Sequence, residues 1–209
     1  GFSIDDRQRR QVKELEDFTQ NLLRIATYER EKTYWNQLKA PDAATWDTNR
    51  KSWQTNFWEN VMGKFTPATS PINARSRKIM ETDKVTGYDV VMDVWEDVYA
   101  WGVLLLPKDL KPGERRPVVV CQHGLEGVPM DTINDDPKSQ AYAPYKAFSL
   151  RLAERGFVVF APHNPYRGTD KFRTLQRKAN PLGKHLFSII FAQHERILRV
   201  GGEVFLVKR

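Results

Sequence analysis

The chain has 209 residues, 40% of them hydrophobic, 28% charged and 11% aromatic, enough for one globular domain or a small module joined to part of a larger one. That composition excludes a disordered tail and a collagen-like fibre, and the single cysteine, Cys121, excludes an internal disulfide and a four-cysteine zinc site. The net charge of +7 is confined to one end: residues 165–209 hold ten Lys and Arg against three acids, whereas the first 164 residues hold 23 of each sign.

No apolar run approaches the roughly 20 residues needed to cross a bilayer. The first ten residues are polar and charged where a signal peptide needs an apolar stretch. A start at Gly rather than Met reads as a processed, trimmed or fragmentary one, and the compartment stays open.

From about 5 to 38, Val12, Leu15, Phe18, Leu22 and Ile25 recur at spacings of three and four with charges between them, and Pro41 follows; the spacing predicts a long amphipathic helix. A second helical stripe runs through Trp46, Arg50, Trp53, Phe57 and Val61 and ends at Gly63 and Pro67. Four of the six tryptophans (Trp35, Trp46, Trp53, Trp58) fall here. They suit a core or docking surface, or an aromatic platform for sugar. Residues 1–66 are therefore expected to be a helical extension and 67–84 a linker.

After the linker the period changes to two. Residues 85–94 read as a strand with Tyr88, Val90, Met92 and Val94 on one face, and 98–106 as its hairpin partner. The β-branched run 117–121 reads as a central strand buried on both faces. A polar loop (128–143), a helix (144–155) closed by Gly156, a buried strand (157–161), a loop (163–181) and an amphipathic helix (182–198) complete the pattern. Strand pair, buried strand, helix, buried strand and helix open an α/β sheet, with 118–157 long enough for a parallel βαβ crossover.

The informative site is the strand end Cys121-Gln122-His123-Gly124-Leu125-Glu126-Gly127. Ligands in open α/β sheets bind outside the carboxyl ends of the strands. A His-Gly turn there aims peptide N–H groups into the crevice, where they can hold an oxyanion. Gly124 and Leu125 form the candidate oxyanion hole, with the Leu125 N–H as donor; His123, Glu126, His163 and Tyr166 are the expected crevice lining. A plain glycine turn after a strand is the alternative. Cys121, inside a buried strand, reads as a core cysteine rather than a nucleophile. His185 and His194, nine apart on one predicted helix, fall on opposite faces. Asp131, Asp135 and Asp136 lack calcium-loop spacing. No metal site, phosphate-binding glycine loop or cofactor is expected.

Three stretches, PVVVCQHGLEG (117–127), YKAFSLRLAERGFVVFAPHNPYRG (145–168) and QRKANPLGKHLFSIIFAQHERIL (176–198), together with TGYDVVMDVWEDVYAWGVLLLPKDLKPGERRP (86–117), resemble the N-terminal half of an α/β-hydrolase of the acetyl xylan esterase and dienelactone hydrolase branch. The resemblance covers roughly 5–198. It implies an α/β fold: an incomplete α/β-hydrolase sheet of antiparallel strands followed by a parallel βαβ, with an N-terminal helical extension. It also implies ester hydrolysis by a Ser-His-Asp triad whose serine sits on a G-x-S-x-G elbow.

None of the seven serines here (Ser3, Ser52, Ser70, Ser76, Ser139, Ser149, Ser188) has that setting. The chain departs from the family's pattern after about Leu198, and residues 199–209 are either a substitute strand at 204–207 or unrelated residues. The resulting expectation is a truncated carboxylic ester hydrolase, inactive alone. The substrate of its parent would be a small ester or acetylated carbohydrate, with no nucleic-acid or membrane partner and a dimer through the open sheet edge. The alternative is a non-enzymatic binding module that uses the basic residues 165–209 for an anionic partner.

Overall fold

In a computed structural model the described residues are 3–168 and 171–205. The chain divides into two compact units, Gly1–Trp58 and Glu59–Arg209. No described helix is long and apolar enough to cross a membrane.

The first unit is helical. Helix α1 (Ile4–Arg30) starts at Ser3, whose hydroxyl accepts the Asp6 N–H, a cap that satisfies one of the first-turn donors. It continues through a π-helical turn, Glu31–Trp35, into α2 (Asn36–Leu38), as the periodicity predicts. Asp42 caps α3 (Ala43–Asn56) by accepting the Thr45 N–H at 2.8 Å. Tyr34 meets Trp35 and Trp53 edge-on, with ring centroids 4.9 and 4.8 Å away.

The second unit is a five-stranded sheet in the order β1-β2-β3-β5-β4: β1 (Arg75–Glu81), β2 (Val85–Trp95), β3 (Val98–Pro107), β4 (Val118–Val120) and β5 (Val158–Pro162). The first three strands and β5 pair antiparallel, and β4 pairs parallel with β5, Val118 opposite Val158 and Val120 opposite Phe160. It is an α/β sheet of antiparallel strands leading into a parallel βαβ.

Strand alternation divides the core into two layers. Val85, Val103, Leu105, Val159 and Ala161 pack on one face with Leu150 and Ala153 of α5 (Phe148–Glu154). Val90, Met92, Val94 and Phe160 pack on the other with Ile197 of α7 (Leu186–Phe205). Arg196 anchors α7 by donating from Nη2 to the Ser70 and Val94 carbonyls at 2.6 and 3.3 Å.

Several elements differ from the sequence expectation. Residues 75–81 are strand β1 rather than linker; its RSRKIME face carries no alternation because it is a solvent-facing edge held by pairing with β2. Strand β4 is an edge strand with half-buried valines, not a central one. The Cys121 N–H and Pro117 C=O bond toward β5, so Val118 and Val120 turn their backbone groups to the open edge. The helix expected over 144–155 is broken into α4 (Tyr142–Tyr145) and α5, because Lys146 and Ala147 between them both adopt φ 51°. The expected loop 163–181 contains α6 (Phe172–Ala179). Helix α7 runs on through 199–205, so Val204 and Phe205 are helical rather than strand, and 206–207 lie outside the described residues.

Gly102 faces Pro162 across the β3–β5 pair. A Cβ there would meet the Ala161 carbonyl oxygen, the Phe160 ring at 2.5 Å and Pro162 Cα at 2.8 Å. Backbone does not yield as a side chain does, so Gly102→Ala should lower stability by about 1–3 kcal/mol, read as a lower urea midpoint with unchanged slope; an unaltered midpoint would contradict this close approach.

Candidate active site

The site lies where the carboxyl ends of β4 and β5 stand side by side. After Val120 the ladder continues through the Cys121 N–H to the Phe160 carbonyl at 2.8 Å, and the chain then turns through Gly124–Gly127, closed by the Gly127 N–H to the Gly124 carbonyl at 3.1 Å. Glu126 takes φ 67° in this turn. Its N–H donates to the Tyr166 carbonyl at 3.2 Å and its carboxylate accepts the Gly168 N–H, tying the turn to the loop after β5. From the other side the Tyr145 hydroxyl accepts the Gly124 N–H at 2.8 Å.

The expected site residues separate into two groups. Gly124, Leu125 and Glu126 are exposed, Leu125 at 64%. Among the described residues the Leu125 N–H has no acceptor, so it is the one donor of the turn open to an incoming group. His123 (1% exposed) and Tyr166 are buried beneath the turn. His123 Nε2 accepts the Asn164 N–H at 3.1 Å, and Nδ1 faces the Gly124 carbonyl at 2.8 Å. With both ring nitrogens engaged, this histidine is a structural pin and does not serve as a general base. His163 is half-buried, its N–H bonded to the Trp101 carbonyl at 2.8 Å and its ring 4.7 Å from Trp101 and 5.8 Å from His123.

Three residues of the site escape the sequence reading. Asn164, fully buried, bonds Tyr166 and His194; Tyr145 holds Gly124; His194 reaches in from α7 to Asn164 Oδ1 at 3.0 Å. The stretches HNPYRG and YKAF contain the first two, but nothing in their local pattern marks them. His185 precedes α7 and bonds the Val61 carbonyl at 3.0 Å, apart from His194.

Among the described residues, neither Cys121 nor the buried serines Ser149 and Ser188 stand as a nucleophile beside the donor. Cys121 is buried in the core, and burial pushes its thiol pKa up, with its hydrogen-bond contact to Ser149 opposing. That keeps it a thiol, which is a poor nucleophile. The buried Ser149 and Ser188 hydroxyls donate to Thr132 and to the Met62 carbonyl at 2.7 and 2.8 Å; Ser188 Oγ also accepts the His185 backbone N–H at 3.1 Å, and neither hydroxyl donates to an imidazole. Among the described residues no group of three or more His, Cys, Asp or Glu is placed to hold a metal ion.

A solved structure of similar fold is an inferred acetyl xylan esterase of Bacteroides fragilis, with TM-score 0.59 and 15% identity over 77% of this chain and 46% of that one. The likeness shows the fold. Acetyl xylan esterases of Paenibacillus sp. R4 (TM-score 0.46, 19% identity, 64% of this chain and 42% of that one) and Thermoanaerobacterium (TM-score 0.49, 12% identity, 71% and 45%) match more loosely. The chain spans a little under half the length of each of the three. No protein-family model matches it, and no curated protein does.

Burial lowers the pKa of both His123 and His194 below the ordinary imidazole value of 6.5, and His194 is lowered further by the positive charge His123 would carry. Around His123, its bond to Gly124 and the charge of Asp131 raise the pKa against the effect of burial, and Arg167 lowers it. A histidine depressed in the folded state stabilises the fold fully above 6.5; that contribution is lost as pH falls below it toward the folded value, because the unfolded chain takes up the protons first. The urea midpoint should therefore drop between about pH 7.5 and about pH 5.5, and drop less in His194→Gln, which keeps a donor for Asn164. An equal drop in both proteins would exclude His194 as a source.

Proposed function

We propose that this chain supplies the oxyanion-binding end of a carboxylic ester hydrolase, with an acetylated carbohydrate or another small ester as substrate. The observation that carries the reading is the Leu125 N–H: on an exposed residue at the carboxyl end of β4, without an acceptor among the described residues, in a peptide whose carbonyl faces His123 Nδ1. In ester hydrolysis the carbonyl oxygen becomes an anion in the tetrahedral intermediate, and a fixed donor aimed at that oxygen lowers the barrier by about 3 kcal/mol. Support also comes from the fold shared with an inferred acetyl xylan esterase.

The donor needs a nucleophile and base that the 209 residues do not present on a G-x-S-x-G elbow, so the chain alone binds the anion without turning over the ester. Methylphosphonate, a tetrahedral anion, should displace the Leu125 amide resonance more than any other, and p-nitrophenyl acetate should be hydrolysed no faster than background. An unmoved Leu125 resonance would remove the oxyanion reading. Hydrolysis that survives Cys121→Ala and is abolished by one serine substitution would reveal a complete active site instead.

A second reading, a non-enzymatic module for an anionic partner, is favoured by one observation. Residues 171–194 contain five cations and no acid, and among the described residues no carboxylate pairs with Arg173, Arg177 or Lys178 of α6. Binding of nucleic acid at low salt that weakens steeply as salt rises would support it; absence of binding at low salt would remove it.

A further inference from the structure

We propose that α7 sets the direction of the Leu125 N–H through a chain of hydrogen bonds of fixed proton order, with Asn164 and His123 as positioning residues; this rests on the oxyanion-donor reading of that N–H.

The order follows from groups that can only donate or only accept. The Tyr166 hydroxyl lies 3.1 Å from the His123 carbonyl, which only accepts, so the phenol donates there. With its single proton committed, the Tyr166 oxygen can only accept from its other neighbours, Asn164 Nδ2 at 2.8 Å and Gln122 Nε2 at 3.2 Å. That fixes which way the Asn164 amide faces: NH2 to Tyr166, Oδ1 to α7. An amide oxygen only accepts, so His194 Nε2, 3.0 Å away, carries the hydrogen. On the other side of the same residue the Asn164 backbone N–H only donates, and it donates to His123 Nε2. Nε2 is therefore bare, and the neutral ring carries its hydrogen on Nδ1, where it donates to the Gly124 carbonyl at 2.8 Å.

The last link is covalent. The Gly124 carbonyl and the Leu125 N–H belong to one peptide unit, and no peptide among those described is cis, so the two groups point in opposite directions. Holding the oxygen against the buried His123 ring turns the N–H outward from it. The bond on the oxygen also polarises the peptide and strengthens the N–H as a donor. The opposite tautomer would set the Nδ1 lone pair against the Gly124 oxygen and leave that oxygen to the Gly127 N–H alone, so the peptide could tilt. Two residues beyond His194, Arg196 fastens α7 to the Ser70 and Val94 carbonyls, so the register of the helix reaches the turn through His194 and Asn164.

Long-range 1H–15N spectra of the full chain, labelled at histidine and recorded at about pH 7.5, test the proton order directly. His123 should be protonated on Nδ1 and His194 on Nε2, opposite tautomers within one network. His123 protonated on Nε2, or either ring as a mixture, would overturn the proposal. The Leu125 amide resonance then tests positioning. His123→Asn, whose side-chain nitrogen takes the place of Nδ1, should leave that resonance near its wild-type position. His123→Phe should displace it. Asn164→Asp should displace it too, because a carboxylate draws the Tyr166 proton off the His123 carbonyl.

A Leu125 resonance unmoved in folded His123→Phe and Asn164→Asp chains would overturn the positioning role, and where either fails to fold the wild-type tautomers decide. No readout here uses a substrate. Ordered tautomers with no response to methylphosphonate would keep the clasp and reject the ester reading; disordered tautomers with a response would do the reverse.

Discussion

The candidate site depends on the parallel pairing of β4 with β5. Only three residue pairs make it, Val118–Val120 against Val158–Phe160, yet it brings two loops that are forty residues apart in sequence out of the sheet at the same end. Every hydrogen bond between the His123 turn and the Asn164–Tyr166 loop presupposes that register. A slip of one residue would exchange the two faces of β4 and move the turn away from the groups that hold it. The pairing is supported on one side only, because β5 is fully buried whereas β4 lies at the edge of the sheet.

The buried polar network above this pairing contributes definition more than stability. A hydrogen bond is worth about 1 kcal/mol net, whereas a buried polar group left without a partner costs about 1–3 kcal/mol. Asn164, fully buried, has its side-chain oxygen, its side-chain nitrogen and its backbone N–H all engaged. Any arrangement that breaks one of these bonds leaves another group unpaired, so the network admits one arrangement of protons and disfavours the rest. The same burial depresses both imidazoles and keeps the arrangement neutral near pH 7, where a charged ring would place two donors face to face.

The charge excess at the end of the chain divides between interior and surface. Arg196 is buried and spends its charge on backbone carbonyls. Lys184 donates to the Lys64 carbonyl at 2.9 Å and stands 5.3 Å from the Phe65 ring centre. These two cations hold α7 and the segment before β1 in place. The cations of α6 remain at the surface.

The sequence by itself determined what local periodicity can encode. The alternation through Tyr88, Val90, Met92 and Val94 named the buried face of β2, the continuous apolar run named β5, and the turn Gln122–Gly127 stood out because a strand ended there in His-Gly. Strand β1 had no such signal, since a charged edge strand exists only by virtue of its partner. Whether β4 was central or at the edge depended on what lies beside it, which a run of three valines does not record. Asn164 and His194 were equally silent: Asn164 meets His194 and His123 across 30 and 41 residues of sequence, and a polar side chain looks the same in the sequence whether it will face water or be buried against a fixed donor. Side-chain period determines which face is buried. Only the tertiary structure, by bringing distant groups within 3 Å and excluding water from between them, decided which polar groups became partners and which way their protons point.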